Sequence, residues 1–157
     1  MSDHQDLLDA IEARLNTVAN IGVVHDRVRF SAAWDDYLDH FKTTIGGVDQ
    51  IRGWQIVVPE IASTAQRMGA IEREYRIEIF GILGLADGSN TAATFIALVA
   101  LVLDALDFRT DLSLSGVVDY SVGPATARFE ERMFGSVLCH AVTIVVPATV
   151  RKTSTYA

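Results

Sequence analysis

Between residues 72 and 107 the chain switches its apolar period, and that switch limits the folds open to it. In "EREYRIEIFGIL", residues 72–83, Tyr75, Ile77 and Ile79 alternate with Arg76 and Glu78. Period two describes a strand with one buried and one solvated face. Beyond Gly84 and Gly88, residues 90–107 repeat apolar side chains at helical spacing instead. A one-faced strand leading into an apolar helix requires that the helix cover the sheet. On a helical wheel Phe95, Leu98, Val99, Val102 and Leu106 share the face that should lie on the sheet. Ala97, Leu101 and Phe108 fall near the opposite face, beside Asp104. A helix apolar on both sides needs cover on both sides. Another segment of the same chain or a second subunit would supply it.

The corner between the two periods, "FGILGLADGSNT", has the strand–glycine–helix order of a phosphate-binding turn. A P-loop needs G-x-x-x-x-G-K-[ST], with the lysine meeting phosphate charge. Here Ser89 stands five residues after Gly84, no lysine is near, and Asp87 would repel an anion. The dinucleotide pattern G-x-G-x-x-G is absent too. The residues read as a plain corner: glycines end the strand, Asp87-Gly88 turns, and Ser89 or Asn90 caps the helix.

Elsewhere Leu7, Leu8, Ile11, Leu15 and Val18 predict a helix over about 5–19, with Ser2 and Gln5 as a capping box. A short strand is expected in "VVHDRVRF". Trp34, Leu38, Phe41 and Ile45 predict a second helix, stopped by Gly46-Gly47. "IRGWQIVVPEIA" reads as a strand with Trp54, Ile56 and Val58 on one face and Pro59 at an edge or end. Residues 60–70 read as a mobile loop. Residues 111–134 suggest a hairpin or two short strands, and "SVLCHAVTIVVPA" a long β-branched strand. The tail 151–157 is polar and reads as loose. The sum is one α+β domain over 1–157: a single mixed, mostly antiparallel sheet with helices packed on it.

A chain of 157 residues buries about 68–70% of its unfolded surface, enough to fold without a metal or disulfide staple. Its net charge of −7 argues against nucleic-acid binding through a basic groove. The single cysteine, Cys139, allows no internal disulfide. The start "MSDHQDLLDAIEARL" is an acidic amphipathic helix rather than a signal peptide. The most apolar run, residues 92–103, is shorter than the roughly 20 residues that span a bilayer.

No catalytic, cofactor or metal site follows from spacing. Cys139 and His140 are neighbours on a strand, so their side chains point to opposite faces. The histidines at 4, 25, 40 and 140 show no ligand spacing. Glu130-Glu131 and Asp35-Asp36 read as solvated acids.

Four stretches in their order, "LLDAIEARLNTV…IGVVHD", "YRIEIFGIL", "ATFIALVALVLDAL" and "MFGSVLCHAVTIVV", resemble the tail terminator (tail-completion or minor tail) proteins of long-tailed bacteriophages. The resemblance covers most of the chain as a pattern of elements, without a motif of fixed chemistry. It implies a structural virion protein at the tail–neck junction, made in the host cytoplasm, not an enzyme, and without a cofactor. It implies a hexameric ring that caps the tail tube, ends its growth and meets the head–neck connector. Partners would be further copies of itself, the tail tube protein and the neck protein. DNA would pass through the lumen without specific binding, and an acidic lining would keep the duplex sliding. Ala97, Leu101, Asp104 and Phe108 are the expected subunit contacts; Ala62, Gln66, Arg67, Arg151 and Lys152 are the expected tube or neck contacts. A neighbouring head–tail joining protein, or a small cytosolic enzyme, are the alternatives.

Overall fold

A computed structural model of the chain describes residues 3–67, 69–85, 87–107 and 119–153. In order they form α1 (Asp3–Leu15), β1 (Val23–His25), α2 (Trp34–Asp39), β2 (Lys42–Ile45), β3 (Val48–Arg67), β4 (Ala70–Gly84), α3 (Thr91–Asp107), β5 (Asp119–Val122), β6 (Thr126–Phe134) and β7 (Val137–Thr153). The strands make one mixed sheet in the order β1–β3–β4–β7–β5, with β2 also on β3 and β6 also on β7. Only β1–β3 is parallel; the other pairings are antiparallel. This is the α+β architecture expected from the sequence.

The period switch determines the layers. Tyr75, Ile77 and Ile79 of β4 and Val142, Ile144 and Val146 of β7 point to one face. There they meet Leu7, Ile11 and Leu15 of α1 and Phe95, Leu98, Val99, Val102 and Leu106 of α3, all buried. Each such side chain contributes about 1.5–3 kcal/mol of transfer free energy, so this face dominates stability. A smaller cluster lies on the opposite face at one end, where Leu38 and Phe41 cover Ile82, Phe134, Cys139 and Ala141. Among the described residues no helix covers the remainder of that second face.

Two glycines let aromatic rings lie flat on the sheet. Trp54 and Gly81 face each other across β3 and β4. The six-membered ring of Trp54 occupies the space a Cβ on Gly81 would need. Phe41 does the same over Gly53 from the other side. Trp54 is fully buried, and its indole N–H donates to the carbonyl of Ile21 at 2.8 Å.

The structure departs from the sequence expectations in five places. The second helix stops at Asp39; Lys42–Ile45 is strand β2, because a Thr-Thr-Ile run is stiff at χ1 and suits a pleated surface. Gly46 and Gly47, at φ 61° and 77°, form the turn into β3 instead of a helix stop. The strand in "VVHDRVRF" is limited to Val23–His25. The expected loop at 60–70 is the meeting of β3 and β4, whose backbones pair from Glu60↔Arg76 to Arg67↔Ala70. The tail is strand as far as Thr153, paired with Ala70; residues 154–157 lie outside the described residues. For 111–134 the described part is β5 and β6, which follow one edge of β7 in succession rather than pairing with each other.

Candidate functional site: the outer side of α3 and the far end of the sheet

A short 3₁₀ turn over Asp87–Ser89 and Asn90 at φ 49° redirect the chain, and Thr91 starts the helix. Thr91 fastens that start to the sheet: its hydroxyl lies 3.0 Å from Nε2 of His140, whose ring stacks on Phe95. Glu131 stands 4.0 Å from Nδ1 of the same imidazole, beyond hydrogen-bond reach. Hydroxyl, imidazole and carboxylate thus line up without the second hydrogen bond that activates a nucleophile. The recess beside them, about 80 Å³, has room for two or three waters. Spacing could not reveal this cluster, since Thr91 and His140 come from separate elements.

Cys139 and His140 diverge as expected. Cys139 points into the α2 cluster, fully buried, and burial pushes its thiol up to about 11. His25 and His40 come together, with ring centroids 6.5 Å apart. Nδ1 of His40 is taken by an Arg29 N–H at 3.2 Å, and Nε2 of His25 donates to the His40 carbonyl at 2.7 Å. That arrangement pins the 26–33 segment to the end of α2. Asp9, Glu12 and Asp26 bring carboxylate oxygens within 4.8 Å of one another. Burial, followed by repulsion from Asp26 and Asp9, raises the Glu12 pKa. Three carboxylates are what these residues offer a hard cation, against the six to eight oxygens calcium takes.

The outer side of α3 carries two exposed aliphatic side chains. Ile96 is 56% exposed and Leu101 50% exposed, on a helix whose inner face is fully packed. Ala97 and Asp104 are exposed on the same outer side, while Phe108 lies outside the described residues. Among the described residues no helix is long and apolar enough to cross a membrane.

The second set of expected contacts, far apart in sequence, meets at one end of the sheet. Ala62 pairs with Glu74, which pairs with Thr149; Glu72 pairs with Arg151, and Ile71 with Lys152. Ala62, Arg67 and Arg151 are exposed and Lys152 is half-buried; Gln66 belongs to β3. Arg151 Nε donates to Glu72 at 2.8 Å, and Arg76 Nε to Glu78 at 3.2 Å. Glu60, Ala62, Glu74 and Arg76 form one wall of an open trough of about 400 Å³ on the bare face, with Val145 and Pro147 in β7. The sequence matches no protein-family model, and no curated protein matches it.

The described surface has three distinct parts. It has an apolar helix side, a charged bare sheet face, and a strand end where both expected contact segments converge.

Proposed function

We propose that the chain is a structural virion protein that caps the tail tube of a long-tailed bacteriophage as a homo-oligomeric ring. In that role it ends tube growth and forms the joint to the head–neck connector. The observation that carries the reading is the outer side of α3. Burying Ile96 and Leu101 against a neighbour would recover about 1.5–3 kcal/mol for each side chain. Single exposed aliphatics are ordinary; these two stand five positions apart, about 140° round the helix, so a neighbour covering the whole outer side would meet both. The sequence resemblance to tail terminators supplies the biological setting. The far end of the sheet, with Arg67, Arg151 and Lys152, is the surface assigned to the tube or neck.

The test is infection with a phage lacking this gene product, followed by electron microscopy of the lysate. Unjoined heads with overlong tubes are expected, because tube subunits keep an open self-complementary end. Tails of normal length joined to heads would refute the assignment. Complementation with Arg67→Glu/Lys152→Glu separates the contact surface from the role. Wild-type tails from that variant move the tube contact elsewhere on the molecule.

A further inference from the structure

Thr91, His140 and Glu131 come from three elements and meet at the start of α3. The hydroxyl of Thr91 lies 3.0 Å from Nε2 of His140, and Nδ1 of the same ring faces Glu131 at 4.0 Å. The imidazole is buried and stacked on Phe95, with centroids 6.0 Å apart, so packing sets its orientation. Glu131 stands directly across from His140 in the β6–β7 ladder, and its side chain is 67% exposed. Rotation of that side chain in solvent is enough to bring the carboxylate to Nδ1. Beside the three groups lies the recess of about 80 Å³, lined by Leu85, Asn90, Thr91, Ala92 and His140.

We propose that this is an acyl-transfer site, in which Thr91 attacks small activated esters, His140 is the base, and Glu131 positions and balances the imidazole. The activity goes beyond the ring reading and needs no second copy. A carboxylate on the Nδ1 side favours the tautomer that keeps its proton there, which leaves Nε2 to accept from the Thr91 hydroxyl. Nucleophile and base are already in hydrogen-bond reach. The bond from base to carboxylate is open at 4.0 Å. Catalytic hydrogen bonds are often long before substrate binds, and this one closes as the ring takes a proton.

The steps balance without a further reagent. The Thr91 oxygen bonds to the ester carbonyl carbon, and its proton passes to Nε2. The carbonyl oxygen becomes an oxyanion. The N–H groups in the first turn of α3 have no intrahelical partner, and Ala92 of that turn lines the recess. Those N–H groups and the positive helix end stabilise the oxyanion. The bond to the leaving alcohol then breaks, and the alcohol departs with the proton from Nε2. Water repeats the sequence on the acyl-threonine, which releases the carboxylic acid and restores the hydroxyl. A recess with room for two or three waters fits an acyl group of acetyl size, against the apolar side of Leu85 and Ala92.

The test is hydrolysis of p-nitrophenyl acetate by the full-length protein, with mass spectrometry locating the trapped acetyl group. Wild type should release nitrophenolate above the buffer rate, saturate with ester, and carry acetyl on Thr91. Thr91→Val is near-isosteric but lacks the nucleophile, and its rate should fall by about 10²-fold or to the buffer rate. Thr91→Ser should keep the activity. Glu131→Gln should lower kcat at unchanged KM, because the charge it balances arises only as the ring is protonated. Circular dichroism and urea midpoints check that each variant folds. The two lysines, Lys42 and Lys152, and the N-terminal amine are the sites of unspecific acetylation to set against Thr91. No hydrolysis above buffer, acetyl on those amines alone, a wild-type rate from Thr91→Val, or an unchanged kcat in Glu131→Gln overturns the proposal. Tail morphology in the infection test bears on the ring alone, so either reading can fail while the other stands.

Discussion

The contact between Trp54 and Gly81 gives a quantitative test of how the core is built. Alanine at 81 would place its methyl inside the six-membered ring of Trp54, against Cε3 and Cζ3. The ring cannot slide freely, since it is fully buried and its N–H is held by Ile21. Overpacking of this kind costs about 1–3 kcal/mol. If the indole moves enough to lose its hydrogen bond, an unsatisfied buried group adds about 1–3 kcal/mol more. The smaller unfolded-state entropy of alanine offsets about 0.4–1 kcal/mol. Gly81→Ala should therefore destabilise by roughly 1–5 kcal/mol, and each kcal/mol should lower Tm by about 2–4 °C for a chain of this size. Urea titration should show a lower midpoint at unchanged m. Trp54→Phe removes the atoms in the way, at the cost of a cavity and the Ile21 bond. In that background Gly81→Ala should cost less, with a coupling of about 0.5–3 kcal/mol. Additivity of the two substitutions to within about 0.3–0.5 kcal/mol would show that the ring and the glycine are not in conflict, and would refute the reasoning.

Two further outcomes follow from other parts of the fold. Leu101→Glu changes a half-exposed position, so the monomer should stay within about 0.5 kcal/mol of wild type while native mass spectrometry shows the assembly lost; an intact assembly would exclude Leu101 from the contact. The Cys139 thiol is raised by burial from 9.0 to about 11, so the unfolded chain releases this proton at lower pH than the folded one. Its stabilising contribution is complete below about pH 9 and is lost as pH rises toward 11. Urea midpoints of wild type should fall over that window more than those of Cys139→Ala; parallel curves would count against a buried neutral thiol.

The parts of the fold written as periodicity were legible in the sequence. Tyr75, Ile77 and Ile79 face α1 and α3, and the inner face of α3 is the one its wheel predicts. What escaped is structure that owes its order to pairing without burial. Residues 60–65 are exposed, so their sequence shows no apolar rhythm; their backbone is ordered by β4, whose other edge is held by β7. Lys42–Ile45 escaped for a different reason. Phe41 and Ile45 continue a helical spacing from Leu38 by coincidence, and the glycine pair suits a hairpin as well as a helix stop. Of the candidate surfaces, the apolar outer side of α3 was legible. The convergence of residues 62–67 with 151–152 was not, because it depends on a register between β4 and β7 that no local pattern encodes.

That dependence on β7 has a kinetic consequence. β7 is the inner neighbour of β4, β5 and β6, and it follows all three in the chain. The β3–β4 hairpin can close early, since its turn is local, but half of its edge contacts wait for a strand synthesised much later. Until then the apolar side of β4 and the inner side of α3 have only α1, β3 and each other to cover them. Non-local pairing of this kind slows folding and lengthens the exposure of sticky intermediates. Arrival of β7 is thus the commitment step. Until its last long strand inserts, the chain leaves part of that apolar face open.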